Sequence, residues 1–457
     1  MKGLLIILSY FICIQSFSQD FEWTKTFGSN LFDRGYCSAL SKNGEDIYIS
    51  GVFNASISFG AYSFIDNDST VNLFIAKIDK HKNVIWAKCL RTSKQGGGSP
   101  YKITLDSYEN IYLTGFFSDT LYIDTINKII SNSNQNNSFL IKVDSASNYQ
   151  WAKQGFATLA GFTWGQGVTI DNNNNCYALA WLPNTGTFNT ENLSYYNANV
   201  FLIKYNLNGI LQWVKPLNIG KSNMVVYNLK YNNSKLYVVG ILNDSVTIGA
   251  TKFKSSNAGG NSFTLITDTN GTTQKFILSG NNCIESYAFD ISFGPNGSYY
   301  LTGSYYGNAQ FNNFTLRPNN TNALPYFARF DKNDSCIWVK SISGGLAYLS
   351  GQPRGIDNFS NNFIYATGWL SGDGSFDQFK TFQAEGYIFI AKLDSNGNFI
   401  WAQRTGSSIY QSYGFGLNVD TSGTCYVVGD FWNTLILKND TFISQGSNDI
   451  FLTKFCE

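Results

Sequence analysis

A chain of 457 residues with one histidine has few routes to acid–base chemistry. That histidine, His81, falls in the turn "DKHKN" and reads as a solvated turn residue. Multi-histidine metal sites are thereby excluded, and a lone turn histidine argues against a Ser-His-Asp triad. The patterns GxSxG, HExxH and the P-loop do not occur. What remains for chemistry is carboxylates and a phenol: Asp373 in "TGWLSGDG", Asp430 in "GDFWNT" and Tyr306 in "SYYGN". A carboxylate pair about 5–9.5 Å apart across a cleft would serve glycosidic bond cleavage. Binding has more to work with. Phe162 and Trp164 stand in "GFATLAGFTWGQ", Trp181 follows "NCYALA", and Tyr305 precedes Tyr306. Trp369 and Trp432 accompany the two aspartates, and Arg34 and Arg354 add positive charge. Aromatic platforms beside carboxylates and amides suit a glycan or a peptide. The turns "DNNNN", "DSNGN" and "DTSGT" offer oxygens that Ca²⁺ takes as ligands. None has EF-hand spacing, and Asx-turn geometry accounts for them without a metal, so no cofactor is expected.

The elements that must position these residues recur. "FIAKIDKHKNVIW", "FLIKVDSASNYQW", "FLIKYNLNGILQW", "FTLITDTNGTTQK", "YFARFDKNDSCIW" and "FIAKLDSNGNFIW" are copies of one strand–turn–strand unit. Their last residues, Trp86, Trp151, Trp213, Lys275, Trp338 and Trp401, follow Trp23 at steps of 62 to 65 residues. Between them lies a second landmark, as in "NIYLTG", whose tyrosine recurs at 48, 112, 177, 237, 300, 365 and 426. Its glycine is replaced once, by Ala180. Searching for such periods comes first in a chain this long. The last unit also bears a likeness to a short motif of quinone-dependent dehydrogenases, but its sixfold recurrence marks it as scaffold.

Each period reads as four short alternating strands, A to D, with tight turns between A and B and between C and D. Seven such units define an all-β fold: a single seven-bladed β-propeller of four-stranded antiparallel blades. The chain starts on a lone D strand around Trp23 and ends on A, B and C of the seventh blade. Pairing them completes that blade and removes an open edge. The B–C links, such as "SISFGAYSFI" and "SVTIGATKF", read as small hairpins.

The pattern of "NIYLTG", "NSFLIKVD", a turn and "WAK" resembles the bacterial SBBP-type β-propeller repeat over residues 21–457. The resemblance implies an exported, Bacteroidota-like protein of adhesion or surface type.

Composition sets the remaining bounds. The chain is 43% hydrophobic, 16% aromatic and 14% charged, with a formal charge of +1. Such apolar content is ample for a core, and near-neutrality argues against a nucleic-acid partner. "MKGLLIILSYFICIQSFSQD" reads as a signal peptide of residues 1–18, cut after Ser18, with the propeller on 19–457. Its apolar run is shorter than the roughly 20 residues a membrane anchor needs. Seven cysteines remain after Cys13 leaves, an odd number without CxxC spacing, read as mostly free and buried. The tryptophans are expected to pack between blades. Lys77, Lys142, Lys204, Lys392, Lys454 and Arg329 are expected to bridge blades or snorkel. The functional expectation is an exported monomeric binding or surface-interaction scaffold, secreted, periplasmic or on the cell surface, without catalysis. The alternative is a polysaccharide lyase or glycoside hydrolase acting at the channel mouth.

Overall fold

The computed structural model describes residues 20–456 except 67–69, 94–95, 132–134, 158–161, 183–185, 189–190, 194–197, 219–222, 319–321, 344–348, 360–362, 382–386, 407–411 and 438–439. The leader expected at 1–18 lies outside the described residues. Seven four-stranded antiparallel blades form the body. In blade 1 the strands are Asp33–Leu40 (A), Asp46–Asn54 (B), Val71–Asp79 (C) and Val84–Thr92 (D). Strand A of every blade touches strand A of both neighbours, including blade 7 against blade 1, so the ring is closed around a central channel. The other A strands are Gly97–Leu105, Trp164–Ile170, Asn223–Asn232, Glu285–Phe293, Ser350–Phe359 and Tyr413–Val419.

Closure uses the first and last strands. Asp20–Phe27 is strand D of blade 7 and runs antiparallel to strand C, Asp440–Cys456. The pairing extends from Asp20↔Cys456 to Phe27↔Ile450, and Thr24 and Thr453 share a buried hydroxyl hydrogen bond of 2.9 Å.

The recurrent tryptophans sit where their spacing places them. Four of the six indole N–H groups reach a carbonyl in the C–D turn of the next blade: Trp23 to Lys80, Trp86 to Ser145, Trp151 to Leu207 and Trp338 to Ser395, at 2.9–3.3 Å. Within its own blade each ring meets the strand B tyrosine, as with Tyr112 and Trp151 at 5.7 Å. Beneath Trp151 the turn is bare: Gly209 (φ +73°) holds the left-handed region, and a Cβ there would lie 2.8 Å from the Trp151 ring, whereas the same turn position under Trp23 and Trp86 is Lys82 and Ser147. Blade 4 solves the same contact differently. Lys275 replaces the indole and pairs with Asp334 in the turn of blade 5, while Tyr237 packs on Phe293 at 4.8 Å.

The strand C cations follow the same logic. Lys77 pairs with Asp46 at 3.0 Å and reaches Glu109 of blade 2 at 3.7 Å, over the Tyr48 ring. Arg329 donates to Ser395 O of the next blade. Lys454 reaches Lys80 O across the closing seam. The B–C links are hairpins, and in two cases they extend the preceding blade: Leu121 pairs with Thr92, and Phe188 with Gly155. They cover the outer D edge that would otherwise offer unpaired amides. All seven cysteines described are free, four of them buried.

Truncating the latch separates its two versions. Trp151→Ala removes a buried indole and is expected to cost about 3–5 kcal/mol. Lys275→Ala, losing a part-exposed ion pair, is expected to cost less than about 1 kcal/mol. Urea titration of both variants measures the difference; equal losses contradict the assignment.

Candidate functional site

The landmark glycine marks a distortion of the sheet. In all seven blades strand A carries a β-bulge opposite it: between Gly35 and Cys37, Pro100 and Lys102, Gly165 and Gly167, Val226 and Asn228, Ala288 and Asp290, Pro353 and Gly355, and Gly414 and Gly416. The bulge brings the strand A carbonyl close to strand B. A Cβ on Gly51 would lie 2.0 Å from Arg34 O, and one on Gly303 1.8 Å from Tyr287 O. In blade 3, where Ala180 takes the landmark place, its strand A partner is Gly165. Each bulge inserts one residue without a strand B partner and re-aims its side chain. The seven inserted residues are Tyr36, Tyr101, Gln166, Tyr227, Phe289, Arg354 and Phe415. All seven line one cavity of about 460 Å³ in the channel, together with Arg34, Lys102 and Tyr413.

Charge in this cavity is one-sided. Arg34 pairs with the fully buried Asp430 at 3.0 Å and lies among four rings, Phe32, Tyr36, Tyr413 and Phe415, at 4.9–5.6 Å. Arg354 lies 4.8 Å from the centre of the Phe289 ring and donates to Gln352 Oε1 at 2.7 Å. Burial pulls Arg354 below the ordinary arginine range, and the nearby Arg34 adds to that pull. Burial lowers the Lys102 ammonium as well, with Lys230 and Arg354 acting in the same direction and Asp290 against it. On the far side of the waist a second cavity of about 460 Å³ shares Tyr36, Lys102, Arg354 and Phe415. There Asp290 is spent on Lys230 (3.1 Å), Asn228 and the Ile356 amide, and Asp357 accepts from the Val419 amide at 3.0 Å.

The residues expected from sequence divide into groups. Arg34 and Arg354 meet in the channel cavity. Phe162, Trp164 and Trp181 form a stack at the mouth of blade 3. Their centroids are 6.2 Å apart (6° between planes) and 4.9 Å apart (28°), and Phe162 is 49% exposed. Trp369 meets Tyr413 edge-on at 6.2 Å on the same side of the ring. Trp432, 40% exposed, lies within strand B of blade 7, Cys425–Leu437, and Asp373 lies just past strand B of blade 6, both outside the channel cavity. Tyr306 is half-buried, its phenol raised by burial with Glu285 adding. Tyr305 is in the core at 1% exposure, its hydroxyl on Ser341 Oγ. Asp430 is held by Arg34 and Asn448. Burial pushes its carboxyl up to about 7 against the pull of Arg34. The three oxygen-rich turns use their leading carboxylates on their own backbone: Asp171 on Asn173 and Asn175, Asp394 on Asn396 and Asn398, Asp420 on Ser422 and Thr424.

Six of the inserted side chains and Lys102 escaped the sequence reading, which took the variable loops as the place to look. The signal was present: a lone glycine inside a strand marks a bulge, and the inserted residue precedes the landmark position by 13 to 15 residues in every blade.

No family model matches the chain. An uncharacterised WD repeat-containing protein of Acanthamoeba polyphaga mimivirus is 22% identical over an alignment of 480 positions that covers 84% of this chain. The match spans 33% of that protein's length. Among solved structures, the WD40 β-propeller domain of Doa1 covers 96% of this chain and 98% of its own, at 10% identity and a TM-score of 0.46. The resemblance to the SBBP-type repeat is thereby corrected, since no model supports it and the curated relative is a WD-repeat protein. The physical reason is that the residues carrying it build blades. The strand B tyrosine, the turn aspartate and the strand D tryptophan pack a four-stranded blade against its neighbour and carry no further family signal.

The closing seam titrates. Burial raises Asp33 to about 7, although Ser29 N and Oγ donate to it at 2.6 and 2.7 Å, and burial raises Asp449 to about 6. Both folded values exceed the ordinary 3.8, so the folded state holds more protons than the unfolded state between about pH 4 and 7. Stability therefore falls as pH rises through that window. The melting temperature is expected to be higher at pH 5 than at pH 7.5, and Asp33→Asn to flatten the difference. An unchanged slope in the variant contradicts the assignment.

Proposed function

We propose that this protein is a non-catalytic binding scaffold, exported by its N-terminal segment, that holds a glycan on the channel-mouth face of the ring. The single observation that carries the reading is the division of labour within each blade. Tyrosine, tryptophan and glycine repeat where blades pack, whereas the bulge side chains and the mouth rings of blade 3 differ from blade to blade. A constant frame presenting unlike side chains on one side suits recognition. The stacked rings of Phe162, Trp164 and Trp181 offer a flat apolar ledge of the kind on which a sugar ring packs. The acid–base reading loses its best carboxylate, because Asp430 is fully buried and consumed by Arg34 and Asn448. Support for export comes from the apolar stretch and small residues up to Ser18, and a mature N-terminus at Gln19 is the matching observation.

A polysaccharide array, read both for retention and for new reducing ends, tests this. Retention without cleavage is expected. Trp164→Ala should weaken it roughly three- to tenfold, as an aromatic contact of about 0.5–1.5 kcal/mol implies. Cleavage that disappears in Asp430→Asn or Asp373→Asn overturns the reading in favour of a carbohydrate-active enzyme.

A further inference from the structure

The channel waist holds a cavity distinct from the mouth of blade 3. We propose that it binds a small organic anion, a carboxylate on a flat ring, with the carboxylate between Lys102 and Arg354 and the ring against the channel aromatics.

Three cations, Arg34, Lys102 and Arg354, face one cavity of about 460 Å³, and none of its lining residues is a carboxylate. Arg34 is answered from behind by Asp430. Among the described residues no carboxylate lies within ion-pair distance of Lys102 or Arg354. Arg354 gives one N–H to the neutral Gln352 amide, and its buried Nε has no partner. Asp290, the acid nearest Lys102 in effect, is already bonded to Lys230, Asn228 and the Ile356 amide. Bringing two cations into a narrow apolar-walled channel without counter-charge is costly, and an anion entering from solvent would remove that cost.

The bulges select the rest of the ligand. Of the seven inserted side chains five are aromatic rings, so the wall beside the cations is made of Tyr36, Tyr101, Tyr227, Phe289 and Phe415. A guanidinium recognises a carboxylate through parallel N–H bonds, and ring faces accept a flat apolar body. The cavity lies within the range of about 300–1,000 Å³ usual for small ligands. A strongly hydrated inorganic ion would gain the charges but leave the aromatic wall unfilled. No step of bond making is implied; the site holds and releases.

The test uses the intact chain with three probes: benzoate (ring and charge), benzamide (ring alone) and inorganic phosphate (charge alone). Calorimetric titration and thermal melting are expected to show saturable binding and stabilisation with benzoate only. Arg354→Gln and Lys102→Gln should each weaken benzoate at least tenfold, and Arg354→Lys should retain part of the affinity. Trp164→Ala should leave benzoate unaffected, which separates this site from the glycan ledge, so either can fail alone. Equal binding of benzamide, equal binding of phosphate, no binding of benzoate, or unchanged benzoate affinity in both correctly melting Gln variants overturns the proposal.

Discussion

The ring depends on one repeated contact, an indole at the outer strand of one blade resting on the tight C–D turn of the next. A β-sheet blade buries little by itself, because both of its faces are exposed until a neighbour covers them. The tryptophan covers that face with a large apolar surface and also ends in a donor, so it fixes distance and register at once. Trp23 to Lys80 is the same contact made across the chain ends. Closure is therefore the repeat applied once more, with the first strand supplying the last blade's missing edge.

That regularity constrains where function can sit. Positions that pack blade on blade are held to tyrosine, tryptophan, glycine and a cation. The freedom lies in residues the packing does not use. The strand A bulge creates seven of these, since an inserted residue has no cross-strand partner and turns toward the channel. Glycine at the landmark position is the structural counterpart of the bulge, because a Cβ would strike the strand A carbonyl. The same device that curves the inner strand thus supplies a ring of side chains that can differ from blade to blade.

Buried charge shows the contrast between structure and site. At the closing seam Asp33 receives three donors, and Asp430 has Arg34 and Asn448. These carboxylates are satisfied from within and belong to the frame. In the channel Lys102 and Arg354 lack such internal answers, although another inner strand carries the well-matched Asp290. An imbalance maintained beside so much careful pairing is the mark of a place meant for something else.

The periodicity of tryptophan and tyrosine determined the blade number, the strand order within each blade and the joining of the termini, because packing demands act identically at each repeat. It also determined that Lys275 had to be an exception, though the ion pair to Asp334 that replaces the indole needed the neighbouring turn in place. Arg34 and the blade 3 aromatics were legible as departures from the pattern. The sequence did not show that Tyr305 and Asp430 are buried and paired with Ser341 and Arg34, since those partners are distant in the chain. The channel ring was decided only by the tertiary structure. Tyr36, Gln166 and Arg354 share no residue type, and a bulge converts them from strand residues with no common face into one wall. Only the closed ring brings seven such positions, spread over some 380 residues of chain, around a single cavity.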